Sequence, residues 1–381
     1  MRTKRSNKEV FNFSAGPAVM PIEVLQAIQT ELLDYKGTGL SLMTVSHRSA
    51  IFLEVLKELE NNLAELLKIP QDKYAVLCLQ GGASLQFIDI CLNLSLSRQR
   101  RVGYVISGNW SRLAYQQMRK TNLILTEVIA SSEKEGQFTD IPEQKDWKIE
   151  APLDFIHFAS NETVHGIQFP VLPKRLDPSY PALVVDMSSD LLAREIEVCQ
   201  YGLIYASAQK NLGPPGVTLV IVKKDWLDYV VDVVPDVLAY RAYWKKDGMY
   251  NTPNTFGIYA CMLVTRWLLK NGGIPWIREI NTQKAELLYK TIDESEGFYI
   301  NSLQRRARSQ MNVVFRTPSQ ALDELFIQKA TEANLHFLRG YRSVGGMRAS
   351  IYNAMPLRGV EALCQFMVEF QKSRSKTVYY T

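Results

Sequence analysis

Seven short runs of apolar, β-branched or aromatic residues recur along the first two thirds of the chain. Most are apolar at nearly every position, which is typical of strands that are buried on both faces. Several gaps between the runs hold helix-like segments, most clearly Ser84–Leu96 and Trp110–Lys120. This rhythm predicts an α/β fold with a mainly parallel sheet of seven strands. The predicted strands are Tyr74–Leu79, Val102–Ser107, Leu123–Ile129, Phe155–Ala159, Ala182–Asp186, Leu203–Ala206 and Thr218–Val222.

Helical patterns flank this region on both sides. Apolar residues recur three and four positions apart between Phe52 and Leu66, which indicates an amphipathic helix. After the last strand, Thr255–Leu269 is a long apolar helical candidate that leads out of the large domain. The remainder mixes helix-like stretches with a strand-like run and predicts a smaller α/β domain. We predict a large domain over residues 20–267 and a small domain made of residues 1–19 with 268–381.

Two charged residues follow apolar runs that we predict to be neighbouring strands. Asp186 ends the run in VVDMSS, and Lys210 follows the run in YGLIYASAQKNLGPPG. A charge beside a buried strand is unfavourable unless a partner uses it. The sequence separation of 24 residues (210 − 186) leaves room for one crossover helix and one strand. A pyridoxal phosphate enzyme needs such a pair, because its lysine forms a Schiff base and its carboxylate keeps the pyridine nitrogen protonated. A structural salt bridge is the alternative for Asp186.

Other polar motifs follow predicted strands, at the sheet edge where ligands gather in open α/β folds. Gly81-Gly82-Ala83-Ser84 opens a helix and could bind a phosphate with its backbone amides, although a plain tight turn fits equally well. Trp110 could stack on a flat ring or belong to the core. In Asn161-Glu162-Thr163, a hydroxyl could bond a ring substituent, or the motif could be a solvated turn.

Arginines in loops suggest an anionic substrate. His47-Arg48 lies in a serine-rich stretch, and Arg342 and Arg348 lie in YRSVGGMRAS. Guanidinium groups bind carboxylates and phosphates with two hydrogen bonds. A single arginine in a loop is usually only solvated, but three beside glycine- and serine-rich turns favour recognition of a dianion.

The composition is that of a globular cytoplasmic protein. The formal charge of +5 over 381 residues is too small and too scattered to indicate nucleic-acid binding. The basic N-terminus is followed by no apolar segment of a secretory signal, and no apolar run is long enough to span a membrane. None of the five cysteines forms a C-x-x-C pair, which favours reduced thiols. We predict no metal site.

Seven motifs in order give the chain a close resemblance to the phosphoserine aminotransferase family, one of the class-V, fold-type I pyridoxal phosphate enzymes. The resemblance runs from Phe11 to about Phe370. Each motif is modest alone, but the ordered set is specific. The motifs are FNFSAGPA, GTGLSLMTVSHRS, LQGGASLQF, ASNETVHGIQF, YASAQKNLGPPGVT, YNTPNTF and RSVGGMRASIYNAMP.

This resemblance implies a role for each candidate residue. Lys210 resembles the lysine that binds the cofactor and shuttles a proton, Asp186 the partner of the ring nitrogen, and Trp110 the stacking platform. The phenolic oxygen of the cofactor would be bound by Thr163. Its phosphate would be held by Ala83, Ser84 and Gln209, and by Asn251 and Thr252 of a second subunit in a homodimer. The substrate would be bound by Arg348 through its α-carboxylate and by His47, Arg48 and Arg342 through its phosphate or side-chain carboxylate.

The implied reaction is ping-pong transamination between glutamate and 3-phosphohydroxypyruvate, which gives phosphoserine and 2-oxoglutarate for serine biosynthesis. Two positions depart from the family pattern. The family usually has His-Arg at Tyr341-Arg342, and a neutral tyrosine would weaken phosphate binding by roughly ten- to hundredfold. It usually has Pro-Pro-Thr at Pro253-Asn254-Thr255, where asparagine removes a restriction on φ.

Alternative functions have less support. A paralogue that acts on another phosphorylated or dicarboxylic oxo acid is the nearest, and Tyr341 motivates it. Ser207-Ala208-Gln209-Lys210 fits the S-x-x-K motif of serine acyl-enzymes, but the companion S-D-N and K-T-G motifs are absent. A nicotinamide dehydrogenase is disfavoured because no G-x-G-x-x-G follows the first strand. A non-catalytic protein would not be expected to retain both Lys210 and Asp186.

Overall fold

The computed structural model describes residues 9–375 of the chain. The strands are β1 (Phe11–Asn12), β2 (Tyr74–Leu79), β3 (Arg101–Ile106), β4 (Leu125–Ser131), β5 (Glu133–Lys134), β6 (Gln137–Phe138), β7 (Phe155–Ala159), β8 (Asn161–Glu162), β9 (Ile167–Gln168), β10 (Ala182–Asp186), β11 (Tyr201–Ser207), β12 (Thr218–Lys223), β13 (Asn312–Phe315), β14 (Leu335–His336) and β15 (Met347–Ser350). The helices are α1 (Ile22–Glu31), α2 (Ala50–Leu67), α3 (Gly82–Leu94), α4 (Asn109–Thr121), α5 (Tyr240–Trp244), α6 (Thr255–Lys270), α7 (Gly273–Asp293), α8 (Gln320–Glu332) and α9 (Leu357–Ser375).

All seven strands predicted from the sequence pair in one sheet, in the order β2-β12-β11-β10-β7-β3-β4. β12 is antiparallel to both of its neighbours, and every other pairing in this sheet is parallel. The predicted mainly parallel, seven-stranded sheet is therefore confirmed. Because β10 and β11 are adjacent and parallel, Asp186 and the loop that carries Lys210 lie at the same edge of the sheet.

The crossover between β10 and β11 differs from the prediction. We expected a helix there, but residues 187–200 form turns and one short 3₁₀ turn, Val198–Gln200. Polar side chains in this segment bond to nearby backbone groups instead of leaving the backbone to a helix. The amide of Ser188 donates to Oδ1 of Asp186, and the hydroxyl group of Ser189 donates to the carbonyl group of Asn161. The crossover thus lies at the site edge of the sheet.

Helices cover both faces of the sheet. One face packs against α3 and α4 through residues such as Phe87, Ile90 and Met118. The other face packs against α2 and α6 through residues such as Leu59 and Ile258. Since both faces are buried, the strands are apolar at almost every position, as the sequence pattern indicated.

A separate apolar cluster joins α7, α8 and α9 to β13 and β15. β1 pairs in parallel with β14, so the N-terminal segment adds to this second cluster and not to the large sheet. This pairing supports the grouping of residues 1–19 with 268–381, although the domain boundaries remain a prediction. Residues 1–8 and 376–381 of that grouping lie outside the described residues. Among residues 9–375, no helix has the length and apolar character that crossing a membrane requires.

Candidate functional site

A cavity of about 120 Å³ lies at the carboxyl edge of the large sheet. Asp186 reaches it from the end of β10, and Lys210 reaches it from the loop after β11. The cavity therefore contains both charged residues that the sequence singled out. It is also lined by Gly82, Ala83, Ser84, Phe87, Trp110, Asn161, Ser188, Ser189, Ser207 and Gln209.

The amine of Lys210 is held by its surroundings. Its Nζ atom donates a hydrogen bond to Oγ1 of Thr163 over 2.6 Å and lies 5.5 Å from the centre of the Trp110 ring. Burial lowers the pKa of Lys210 to about 8, although the nearby carboxylates of Asp186 and Glu162 favour its charged form. An amine that loses its proton this readily can act as a nucleophile and as a base near neutral pH.

Asp186 is a buried carboxylate with a defined environment. Its Oδ1 atom accepts a hydrogen bond from the backbone amide of Ser188 over 2.8 Å. Burial raises the pKa of Asp186, while the bonds from Ser188 and the charge of Lys210 act in the opposite direction. A carboxylate in this setting is well suited to pair with a buried cationic ring nitrogen.

Helix α3 begins at the cavity wall. Gly81 and Gly82 precede and open the helix with φ values of +97° and +70°, and a Cβ atom on Gly81 would lie 2.4 Å from Leu85. Glycine is therefore required at residue 81. The free amides at the helix start, with the side chains of Ser84 and Gln209, form a donor set that fits a phosphate group.

The same region does not have the geometry of a serine acyl-enzyme. The hydroxyl group of Ser207 donates to Oε1 of Gln209 over 2.5 Å, whereas Lys210 donates to Thr163. A nucleophilic serine in an S-x-x-K motif needs the lysine as its neighbour. The S-x-x-K alternative has no support from these contacts.

Glu162 is a site residue that the sequence did not reveal. It is fully buried, and it accepts hydrogen bonds from the backbone amides of Trp110 and Ser111, each over 2.8 Å. These are amides of the first turn of α4, where a carboxylate stabilises the helix. Glu162 therefore fixes the turn that carries the Trp110 ring. Its position next to Thr163, in the Asn161-Glu162-Thr163 motif, was the only signal in the sequence.

Arg348 reaches the site from β15. Its Nη1 atom lies 3.4 Å from the carbonyl oxygen of Thr163, the residue that binds Lys210. Its Nε atom is buried and has no hydrogen-bond partner among the residues that the structure describes. Burial lowers the pKa of Arg348, yet an arginine keeps its charge at neutral pH. Arg348 is thus a half-buried cation placed to receive a carboxylate.

Seven of the predicted site residues do not line this cavity. Thr163 and Arg348 are connected to it through the hydrogen bonds described above, and the other five lie in the loops before α2, α6 and β15. Arg342 is exposed in the loop before β15. Arg48 is exposed and His47 half-buried just before α2, and Asn251 and Thr252 are exposed before α6. Their roles, like those of the residues within the cavity, remain predictions.

The N-terminal segment also contributes to the site. The amide of Ala18 donates to the carbonyl oxygen of Gln209 over 2.9 Å, and a Cβ atom on Gly16 would lie 3.4 Å from Cγ of Lys210. The FNFSAGPA motif was part of the resemblance, but no role was assigned to it. The structure places it against the lysine.

A larger cleft of about 810 Å³ lies elsewhere and shares no lining residue with this cavity. Arg194, Arg278 and Arg308 line it, and each already pairs with a carboxylate at 2.7–3.0 Å. Size alone would select this cleft, but these three arginines are already paired and the Lys210–Asp186 pair is not there.

Comparison with known proteins identifies the family. The profile of the family described as "Aminotransferase class-V" matches residues 10–363. A protein of Neisseria gonorrhoeae named phosphoserine aminotransferase is 50% identical over 363 residues, which cover 95% of this chain and 98% of that protein. The chain belongs to the class-V aminotransferases.

Solved structures agree with this aminotransferase in fold. One is described as "Radiation damage of the Schiff base in phosphoserine aminotransferase (structure A)"; it has a TM-score of 0.92 and 43% identity and covers 96% of this chain and 99% of its own. Another, from Trichomonas vaginalis, is described as a pyridoxal phosphate-bound phosphoserine aminotransferase; it has a TM-score of 0.89 and 34% identity and covers 94% and 99%. The predicted resemblance to phosphoserine aminotransferases, the fold type and the enzyme class are confirmed.

The residues of the cavity fit pyridoxal phosphate, the cofactor of class-V aminotransferases. Lys210 can bind the aldehyde, Asp186 can pair with the ring nitrogen, and the start of α3 can bind the phosphate. The Nε1 atom of Trp110 is buried without a partner among the described residues, beside this space. The cofactor predicted from the sequence is therefore consistent with both the family and the chemistry of the donor set.

Proposed function

We propose that this aminotransferase interconverts glutamate and 3-phosphohydroxypyruvate with O-phospho-L-serine and 2-oxoglutarate. The observation that carries the proposal is the half-buried Lys210, which lies within one cavity with Asp186 and the Trp110 ring. The names of relatives that match nearly the whole chain supply the substrate class. Bound pyridoxal phosphate supplies an electron sink that allows the bond from Cα to hydrogen to be broken.

We assign the binding of the cofactor to residues that lie on, or directly after, five structural elements: α3, α4, β8, β10 and β11. Lys210 would bind it covalently, Asp186 would pair with the ring nitrogen, and Trp110 would pack against the ring. The hydroxyl group of Thr163 bonds the phenolic oxygen, a role supported by its present bond to the amine of Lys210. The phosphate is bound by Ala83, Ser84 and Gln209, which line the cavity beside the start of α3.

Lys210 has two successive tasks in this proposal. Its amine would first hold the cofactor, and once released it would hold and move a proton at Cα of the substrate. The burial that lowers its pKa to about 8 favours the neutral amine, which is the form that removes a proton. The second half of the ping-pong cycle uses the same amine in the opposite direction.

Substrate anchoring follows from charge. Arg348 binds the α-carboxylate, because it is a half-buried cation without a carboxylate partner among the described residues. Arg342, His47 and Arg48 bind the phosphate of phosphoserine or the side-chain carboxylate of glutamate. A substrate that lacks the second anion would lose the charge-assisted hydrogen bonds to these three side chains, so the site would favour substrates with two anionic groups.

The active enzyme is a homodimer in which each cavity is completed by the other subunit. The stretch before α2, which carries His47 and Arg48, lies beside the start of α6, which follows Asn251 and Thr252. The hydroxyl group of Thr255 donates to the carbonyl oxygen of Leu42 over 3.4 Å, and the rings of Tyr35 and Tyr259 are 5.6 Å apart. Exposed apolar side chains lie in or beside the stretch before α2, including Leu33, Leu40 and Met43. One partner surface would cover these side chains and receive His47, Arg48, Asn251 and Thr252.

We place the enzyme in the cytoplasm. Cys78, Cys91, Cys261 and Cys364 are buried free thiols, and Cys199 is free and exposed. Thiols that stay reduced are typical of that compartment.

The activity is tested by steady-state kinetics of the purified enzyme loaded with pyridoxal phosphate. With 2-oxoglutarate as acceptor, we expect kcat/KM for phosphoserine to exceed that for serine, alanine and aspartate by at least a hundredfold. Formation of glutamate and of 3-phosphohydroxypyruvate should be equal. Equal rates with phosphorylated and non-phosphorylated donors would refute the phosphoserine assignment and favour a paralogous aminotransferase.

A further inference from the structure

A buried polar chain continues from Asp186 into the core of the large domain. Tyr205 of β11 is the direct neighbour of Asp186 in the pairing of β10 with β11, so both side chains lie on the same face of the sheet. The Asp186 carboxylate is close enough to raise the pKa of Tyr205. The hydroxyl group of Tyr205 lies 2.8 Å from Nε2 of His157 on β7. Tyr205 and His157 are at most 3% exposed. A hydroxyl and an imidazole are thus placed in series behind the carboxylate.

The direction of the hydrogen bonds follows from the other nitrogen of His157. Its Nδ1 atom is buried and has no partner within the described part of the chain. A proton on Nδ1 would be a buried donor without an acceptor, and a ring protonated on both nitrogens would also carry a buried, unpaired charge. We therefore place the proton of the neutral ring on Nε2. Nε2–H then donates to the oxygen of Tyr205, which leaves the Tyr205 proton to point at Asp186.

We propose that Tyr205 and His157 are positioning residues that hold Asp186 ionised for the ring nitrogen of pyridoxal phosphate. This inference deepens the role assigned to Asp186 under the proposed function and rests on it. A hydrogen bond donated to a carboxylate stabilises its charged form, and a donor that is itself bonded is polarised further. The hydrogen bonds of Tyr205 and His157 therefore offset part of the free-energy cost of burying the charge of Asp186.

The surroundings of Tyr205 and His157 keep each of these two side chains in one protonation state. The groups that face the His157 ring are the Tyr104 ring at 5.3 Å and the Tyr205 ring at 5.9 Å, both of them neutral phenols. Burial lowers the pKa of His157 to about 3. Burial and the Asp186 carboxylate raise the pKa of Tyr205. Within the range in which the protein is handled, neither residue changes charge, so Asp186 faces a fixed donor.

The tautomer of His157 tests the proposal independently of catalysis. The chain has only four histidines, so ¹⁵N-labelled histidine in the holoenzyme gives a simple spectrum that His157→Phe assigns. We expect His157 to be neutral from pH 6 to pH 8 with its proton on Nε2. A proton on Nδ1 would reverse the chain, because Tyr205 would then donate to His157 and not to Asp186, and would overturn the proposal.

Cofactor affinity gives a second, energetic test. Tyr205→Phe removes the donor to Asp186, and Tyr104→Phe is a matched control because the Tyr104 hydroxyl bonds Cys91 instead. We expect the dissociation constant of pyridoxal phosphate, measured by fluorescence titration of the cofactor-free protein, to rise at least tenfold in Tyr205→Phe and less than threefold in Tyr104→Phe. Equal dissociation constants in the two variants would refute the proposed hydrogen bond from Tyr205 to Asp186.

A double variant separates a positioning role from simple loss of packing. In the background of Tyr205→Phe, the change His157→Phe should have little further effect on cofactor affinity, because the hydrogen bond through which it acts is already absent. Additive losses of cofactor affinity would contradict the proposal that His157 acts through Tyr205. If the wild-type protein bound no pyridoxal phosphate, the proposed function would fail, whereas the His157 tautomer could still be as expected.

Discussion

Asn254 lies against Gly216, in the loop that follows Lys210. A Cβ atom on Gly216, whose φ is +98°, would lie 2.7 Å from Nδ2 of Asn254, so glycine is required there. Oδ1 of Asn254 accepts a hydrogen bond from the amide of Gly257 over 2.9 Å and caps α6. Its φ of −72° is one that proline also adopts. Asparagine at this position therefore leaves the backbone unchanged and adds a helix cap.

This contact joins the loop after Lys210 to the segment that contains Thr252, which we assign to the active site of the partner subunit. Hybrid dimers can test this assignment. A chain with Lys210→Ala lacks the amine, and a chain with Thr252→Glu sets a carboxylate against the cofactor phosphate. Each homodimer should be nearly inactive. In a purified hybrid dimer, one site combines an intact Lys210 with an intact Thr252 of the other chain, so about half of the wild-type activity should return. An inactive hybrid would mean that Thr252 serves its own chain.

The strands and the two central charges could be predicted because both signals are local. Apolar continuity marks a buried strand, and a charge at its end marks a site, as for Asp186 and Lys210. The missing crossover helix could not be predicted, since it depends on side chains such as Ser189 that bond to a neighbouring strand. Tyr205 and His157 lie in apolar runs and resemble core residues. The sequence does not show that β7 and β11 lie on either side of β10, which allows the two side chains to bond to each other beside Asp186.

Replacement of Lys210 tests the covalent role of its amine. Lys210→Ala should reduce kcat by more than a thousandfold and remove the visible absorption that the cofactor shows when it is bound to the enzyme. Lys210→Arg is the matched control, because it keeps the cation but cannot bind the aldehyde, and it should be equally inactive. Full activity of Lys210→Ala, measured with phosphoserine and 2-oxoglutarate, would exclude the proposed mechanism.

Tyr341 should limit phosphate binding. It is 41% exposed in the loop that also carries Arg342. Tyr341→His adds a group that can carry a positive charge, and a charge-assisted bond contributes about 1.5–3 kcal/mol. We expect KM for phosphoserine to fall about tenfold at pH 6, less at pH 8, and kcat to change little. The control is Tyr341→Phe, and a pH-independent effect of Tyr341→His would show that charge is not the cause.

Asp89 should make stability depend on pH. It is buried in α3, its Oδ1 atom has no partner in the described chain, and burial raises its pKa to about 7. The protonated form stabilises the fold at low pH, and this contribution is lost as the pH rises from about 4 to about 7. Asp89→Asn removes the titration, so its stabilising effect should grow over that range to at most about 4 kcal/mol and then stay constant.

Urea unfolding at several pH values measures this effect. Asp72→Asn at an exposed turn is the control for the loss of one carboxylate. If Asp89→Asn were equally stabilising at pH 4 and pH 8, Asp89 would not titrate within the fold.

Lys284 should stabilise the segment that follows β15. It is fully buried, and its Nζ atom donates to the carbonyl oxygens of Ile351, Tyr352 and Met355 over 2.7–3.0 Å. Lys284→Met keeps the packing but leaves three buried acceptors unpaired, which should lower the free energy of unfolding by about 3 kcal/mol or more. Lys290→Met, on the exposed side of the same helix, should change it by less than about 0.5 kcal/mol.

The same substitution should reach the active site through that segment. The amide of Asn353 donates to Oδ1 of Asn211, the residue after Lys210, over 3.0 Å. When the carbonyls around Asn353 lose their common donor, this bond loosens, and kcat should fall severalfold even at temperatures where Lys284→Met is fully folded. An unchanged kcat in the folded variant would show that Lys284 contributes to stability alone and that the position of Lys210 is fixed by the sheet and by Thr163.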